Sequence, residues 1–277
     1  MKYRYKIVVD SSSNLPSDYI SDPEVGFEVV PLVIRIDGKD YVDHPGTDPE
    51  EMLKAFHTTK EKPTTSCPSP EAYLKSYQDA ENVLAVTISS RLSGSFNSAY
   101  VASIDAENSR VHVIDSMATA GNMMLIVDKA YALIKEGLPM QEIEDRLDEY
   151  VHSLNLLFVL DSFEALMKAG RVNKAVAFVA STLGIKAVCE ANAGEIKLSK
   201  QARNMKKALL TLIELIGTKV TDFQNRTCVI AYVEKNETVD KLESLIKEKY
   251  PFKEIRLVRD GLLCSYYALE GGIIVSF

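Results

Sequence analysis

Two hydroxyl-rich strings stand out for the chemistry they could do: Thr64-Thr65-Ser66-Cys67-Pro68-Ser69-Pro70 and, about two dozen residues later, Ser89-Ser90-Arg91-Leu92-Ser93-Gly94-Ser95. Each stands immediately before a predicted helix, where unpaired backbone N–H groups and the positive end of the helix dipole attract an anion. In the second string Gly94 allows a ligand close to the backbone and Ser93 is expected as helix N-cap, with Ser95 one step on. Thr65 and Ser66 take the equivalent place ahead of Pro68 and Pro70. A capping box or Ser/Thr turn accounts for one such cluster. It accounts less well for two. Closing together on one carboxylate, neutral hydroxyls and amides would hold it without the deep Coulomb well of an arginine clamp, which suits a carrier more than a tight sink.

These strings must be positioned by a regular alternation of elements. Tyr5–Val9 is an apolar strand, and Phe27–Ile36 with Lys39–Val42 reads as a hairpin around Asp37-Gly38. Thr47-Asp48-Pro49-Glu50 opens a helix. Helix Pro70–Asp79, strand Val83–Ile88, helix Gly94–Ile104, strand Arg110–Ile114 and a helix from about Met123 to Lys135 then alternate, which implies parallel βαβ units. Helix Met140–His152 closes the first half. The second half runs strand Leu156–Leu160, helices Phe163–Ala169 and Lys174–Leu183, strands Ala187–Glu190 and Glu195–Ser199, helix Met205–Gly217, strand Thr227–Val233, helix Thr238–Tyr250, strand Glu254–Val258 and strand Gly272–Phe277. The expected fold is α/β, as two layered α/β domains over residues 1–155 and 156–277, although no Pro-, Gly- or Ser-rich linker marks the boundary. Three strands end in Asp-Ser, at Asp10, Asp115 and Asp161; these pairs either cap the next helices or line the carboxyl-end crevice where open α/β sheets bind ligands.

Composition restricts the partners. The 277 residues are 46% hydrophobic and 26% charged, ordinary for a globular chain, and the net charge of −7 weighs against a nucleic-acid partner. No apolar run is long enough to cross a bilayer, and the charged start leads straight into a strand, so a cytoplasmic protein without an integral membrane segment is expected. Cys67, Cys189, Cys228 and Cys264 are far apart and suggest neither a zinc site nor a disulfide framework. His44, His57, His112 and His152 are not spaced for metal or triad duty. A hydrolase would need G-x-S-x-G or a His beside the serines, and a nucleotide-binding protein G-x-G-x-x-G or a P-loop; neither occurs. No catalytic residue, metal or cofactor is therefore expected.

Taken in order, several strings together resemble the DegV family, bacterial fatty acid-binding proteins that act as acyl carriers of the fatty acid kinase system. They are Val8-Val9-Asp10-Ser11-Ser12, Thr65-Ser66-Cys67-Pro68-Ser69-Pro70, Ser89-Ser90-Arg91-Leu92-Ser93-Gly94-Ser95, Val113-Ile114-Asp115-Ser116 and Leu166-Met167-Lys168-Ala169-Gly170-Arg171. The resemblance implies a non-enzymatic, monomeric lipid carrier. Two α/β domains would enclose a long-chain fatty acid such as palmitate or oleate, its carboxylate bonded by Thr65 or Ser66 and by Ser93. It further implies that Arg171 contacts a kinase subunit and that Arg203 lies near the head-group; a surface cation near a helix end is the alternative for both. The carboxyl end departs from the family pattern. His-x-Gly-Pro-Gly, laid without gaps, puts Tyr267 at the His that bonds the carboxylate and Glu270 at the Pro, and a tyrosine donates one hydrogen bond but does not become cationic. The other reading is a dihydroxyacetone kinase-like or other small-carboxylate-binding enzyme subunit, which would need a suitably placed His. Segments Met123–Ile134 and Ala175–Leu183 could line an acyl tail, but their periodicity favours ordinary core.

Overall fold

The computed structural model describes residues 2–107 and 109–277. Strand β1 (Tyr3–Asp10) is buried over its last six residues, as expected for a parallel strand covered on both faces. After it come β2 (Val25–Val30), β3 (Val33–Ile36), β4 (Lys39–Val42), α1 (Glu50–Thr58), β5 (Thr64–Ser66), α2 (Pro70–Ser76), β6 (Ala80–Thr87), α3 (Ser95–Ile104), β7 (Arg110–Asp115), α4 (Gly121–Lys135) and α5 (Met140–Ser153). A four-stranded sheet in the order β2-β1-β6-β7 is parallel throughout, as the βαβ alternation predicts.

The expected hairpin from Phe27 is corrected. Pro31 has no N–H to continue a ladder, so the chain breaks there. β2 becomes the edge of the parallel sheet, while the hairpin proper is β3 with β4 around Asp37 (φ 49) and Gly38 (φ 77), the type I′ signature. β5 pairs antiparallel with β3, Ile34 opposite Thr65 and Val33 opposite Ser66, in a separate three-stranded sheet.

The second half supplies β8 (Leu156–Val159), α6 (Glu164–Ala169), α7 (Lys174–Ala180), β9 (Lys186–Asn192), β10 (Glu195–Ala202), α8 (Met205–Lys219), β11 (Thr227–Tyr232), α9 (Glu237–Lys249), β12 (Glu254–Arg259), α10 (Leu262–Ala268) and β13 (Ile273–Ser276). Its six-stranded sheet, β10-β9-β8-β13-β11-β12, is mixed: β13 inserts antiparallel between β8 and β11. The fold is thus two layered α/β bodies. The largest apolar cluster joins both, running from Ile7 and Leu84 through α4 to Phe158, Leu263 and Ile274.

Gly121 marks this junction. A Cβ there would lie 2.8 Å from Ser276 Cβ and Val229 Cβ, so α4 docks on β13 and β11 only because its first residue has no side chain. Gly121→Ala is expected to destabilise the protein by about 1–3 kcal/mol, as overpacking does. A denaturant midpoint equal to that of the natural protein would contradict this packing.

Candidate functional site

The first hydroxyl cluster is held by β5, and the chain then enters α2, whose first turn is closed by Ser69 Oγ accepting the Ala72 N–H at 3.2 Å. Thr65 Oγ1 lies 2.9 Å from the phenol oxygen of Tyr267 on α10. The carboxylate of Asp43, buried at the head of α10, accepts the N–H groups of Leu262 (2.8 Å) and Leu263 (3.2 Å) and fixes where that helix starts. After α10 the chain turns through Leu269 (φ 53) and Gly271 (φ 80). Leu269 occupies a Gly position of the His-x-Gly-Pro-Gly pattern and keeps a backbone conformation that favours glycine. Glu270 meets His57 Nε2 at 2.9 Å, tying this turn to α1.

The second cluster forms the loop between β6 and α3. Leu92 N–H and Ser93 N–H both donate to Ser89 O, and Ser89 Oγ donates to Gly194 O at 2.7 Å, joining the loop to the β9–β10 turn. The expected cap shifts by one residue: Gly94 (φ −76) is the N-cap and Ser93 precedes it, though Ser93 Oγ still accepts the Ser95 N–H at 3.2 Å. The Ser95 hydroxyl, 3.1 Å from that of Ser93, is fully buried.

Both clusters open on one cavity of about 290 Å³. Thr65, Ser66, Ser93, Gly94, Tyr267 and Arg171 contribute its polar groups, while Ile88, Leu92, Leu156, Phe158, Leu160, Leu166, Ile196, Leu263 and Ile274 supply apolar wall. It lies between the carboxyl ends of the parallel strands and the face of the six-stranded sheet carrying β8 and β13, where open α/β sheets commonly bind ligands. Of the residues singled out from sequence, Thr65, Ser66, Ser93, Gly94, Tyr267 and Arg171 are brought together. Ser95 sits one layer behind, and Arg203 lies exposed in the turn between β10 and α8, outside the cavity wall.

Arg171 changes the electrostatic expectation. Its Nε donates to Leu92 O at 2.6 Å and its Nη1 to Ala169 O at 3.1 Å, so a cation does stand beside the hydroxyl clusters. Burial raises the Tyr267 phenol above its ordinary value, and the Thr65 hydroxyl and the Arg171 charge pull it back only in part. The tyrosine remains a neutral donor across the physiological range.

The Asp-Ser pairs tie loops both near and far in the chain, Asp10 also accepting the Ile88 N–H. Asp10 accepts from Ser12, Asp115 from Ser90 and Met117, and Ser162 from Glu164; none of the six residues is in the cavity wall. The cavity wall takes no residue from 123–134 or 175–183, and contains no histidine. Sequence reasoning missed Thr119, Cys264 and α10 itself. All four cysteines are free. Among the described residues no helix is long and apolar enough to cross a membrane, and no group of three His, Cys, Asp or Glu side chains could hold a metal ion.

The model of the DegV family, "Uncharacterised protein, DegV family", matches residues 4–277. A DegV domain-containing protein of Streptococcus pyogenes serotype M1 is 36% identical, with 99% of each chain covered. Among solved structures, a DegV family protein from Ruminococcus gnavus refined with vaccenic acid superposes with a TM-score of 0.92 at 30% identity, covering 100% of both chains. The Fatty Acid Kinase (Fak) B3 protein of Streptococcus pneumoniae, loaded with linoleic acid, gives 0.88 at 31% identity, covering 99% of this chain and 98% of that one. With strings, fold and cavity in agreement along the whole length, this chain belongs to the DegV family.

Proposed function

We propose that this protein binds one long-chain fatty acid per chain and presents its carboxylate to a kinase subunit for phosphorylation. The observation that carries the reading is the one cavity in which the Thr65–Tyr267 hydroxyl pair, Ser66, Ser93 and Arg171 meet a wall that is otherwise mostly apolar. The acyl tail supplies most of the affinity: at roughly 0.8 kcal/mol per buried CH₂, a palmitate tail represents on the order of 12 kcal/mol gross, before ordering costs. The polar groups need only orient the head, with Thr65, Ser66, Ser93 and Tyr267 as donors, Gly94 leaving room for the carboxylate and Ser95 backing Ser93. Arg171, exposed at the same place, is the contact offered to the kinase.

The fatty acids in the related structures and the kinase named in one of them support this reading. It makes the protein a monomeric carrier and not an enzyme, needing no cofactor. It places the protein in the cytoplasm, where a kinase finds its phosphoryl donor, and treats residues 1–155 and 156–277 as the two domains that enclose the ligand.

Protein purified from cells should show, by native mass spectrometry, the mass of one chain plus one acyl chain, and denaturing extraction should release it. Absence of any stoichiometric acyl chain, together with no binding of added palmitate or oleate, defeats the proposal. Ser93→Ala removes a hydrogen bond to an ionised acceptor, worth about 1.5–3 kcal/mol, so palmitate affinity should fall roughly ten- to hundredfold. If affinity is unchanged and only the melting temperature falls, Ser93 serves the α3 terminus alone.

A further inference from the structure

Helix α10 is held at its start by side chains from the first half of the molecule. Its cap position is Gly261, which has no side chain to offer, and a Cβ there would lie 3.0 Å from Asp43 Oδ1 and 3.4 Å from Asn14 Oδ1. Those two oxygens take the place of a local cap. Asn14 Oδ1 accepts the Gly261 N–H at 2.9 Å, and the Asp43 carboxylate accepts those of Leu262 (2.8 Å) and Leu263 (3.2 Å). Asp43 is itself only 2% exposed, and its own N–H donates to Leu32 O at 2.9 Å. A helix of seven residues has little stability of its own, so its place is set by what holds its ends.

Asp43 is tied to the first hydroxyl cluster through the three-stranded sheet. Val33 of β3 pairs with Val42 on one side and with Ser66 on the other, so Asp43, next after Val42, stands at the same end of that sheet as Ser66. Thr65, one residue before Ser66, meets the Tyr267 phenol at 2.9 Å. Helix α10 therefore touches this sheet twice: its first N–H groups on Asp43 and, just over one turn later, Tyr267 on Thr65. We propose that Asp43 is a positioning residue for the fatty acid head-group, setting through the start of α10 where the Tyr267 hydroxyl stands beside Thr65. This inference rests on the fatty acid-binding reading. A carboxylate suits the task because its two oxygens accept from two successive N–H groups and so fix the rotation of the helix as well as its height. A small shift of α10 would leave the Tyr267 ring packed, but a hydroxyl bond that needs its oxygens within about 3 Å would be lost.

The test is a double-mutant cycle on the full chain, read by palmitate titration and by thermal melts: the natural protein, Asp43→Ala, Tyr267→Phe and the pair. Tyr267→Phe deletes the phenol oxygen and should weaken palmitate binding roughly tenfold, the lower end for a hydrogen bond to an ionised acceptor. Asp43→Ala should cost up to roughly tenfold in the natural background but less than about twofold when Tyr267 is already Phe, because no hydroxyl is then left to misplace. The melting temperature should fall with Asp43→Ala in both backgrounds alike, so the difference between them appears in affinity alone. Asp43→Asn keeps one acceptor for the α10 N–H groups and should recover part of the affinity, and it carries the cycle if Asp43→Ala does not fold. Equal losses of affinity in the two backgrounds would give Asp43 a purely structural role and overturn the inference, and so would unchanged affinity in either single variant. Those results leave the fatty acid reading intact, whereas no binding of palmitate by the natural protein overturns both.

Discussion

The protein should become more stable, not less, as the pH falls from about 8 to about 5. Three aspartates are buried with raised values: Asp10 to about 6, Asp43 to about 6 and Asp260 to about 7. Desolvation is the largest cause in each, and for Asp260 the neighbouring Asp43 charge adds to it. In the unfolded chain all three return to the ordinary carboxylate range near 3.8. Above pH 7 both states are ionised and the native state alone bears the burial of charge. As the pH falls through 7 and 6 the native state takes up protons that the unfolded state does not, so stability rises until the unfolded carboxyls protonate near pH 4. Each unit of displacement is worth about 1.4 kcal/mol, so three groups give a gain on the order of several kcal/mol, large against a typical total of about 5–15 kcal/mol. Asp22 opposes this only at lower pH. The Glu24 N–H, Lys135 and Tyr131 hold it down to about 2, so its contribution is lost below about pH 4.

Thermal melts from pH 8.5 to 4.5 check the result. A melting temperature that falls steadily from pH 8 to 5 would contradict it. Asp260→Asn, which removes the most displaced of the three, should flatten the curve. Asp260 Oδ1 accepts from Asn14 Nδ2 at 2.6 Å while its Oδ2 is buried and unpartnered, so ionisation finds little compensation there.

These aspartates also show where the sequence was informative. The parallel sheet was readable because each of its strands is an apolar run separated from the next by a helix with capping signals: Ser69-Pro70 before α2, Asp48-Pro49 before α1. The hydroxyl strings were readable because their types and spacing have few uses. Other features were set by contacts between residues far apart in the chain. Nothing local says that β13 slots antiparallel between β8 and β11, since the pairing of Phe158 with Ile274 spans nearly half the molecule. Helix α10 gave no amphipathic period because six of its seven residues are buried. The resemblance singled out Arg171, but its place beside the second hydroxyl loop was not legible, because its partner, the Leu92 carbonyl, is 79 residues away. Arg203 was implied to lie near the head-group, yet the turn after β10 carries it out of the cavity wall. Pro31 was the one local sign passed over, and it divides β2 from β3.

Gly94→Val should abolish tight fatty acid binding while leaving the fold intact. Gly94 is exposed, lines the cavity and has φ −76, so a side chain there meets no backbone strain. A Cβ would sit 3.1 Å from Cys67 Sγ, which places the added group in the gap between the two hydroxyl clusters. The branched Val side chain therefore occupies the space a carboxylate needs to reach both Thr65 and Ser93. Losing both charge-assisted hydrogen bonds, each worth about 1.5–3 kcal/mol, predicts an affinity for palmitate lower by at least about a hundredfold. The thiol at position 67 moves with one rotatable bond, so the folded protein should absorb the contact with a melting temperature within a few degrees of the natural one. Palmitate titrations of the variant and the natural protein, run beside thermal melts, decide the matter. Unchanged affinity would mean that the head-group does not pass between these two loops, and it would remove the reason for treating them as one site.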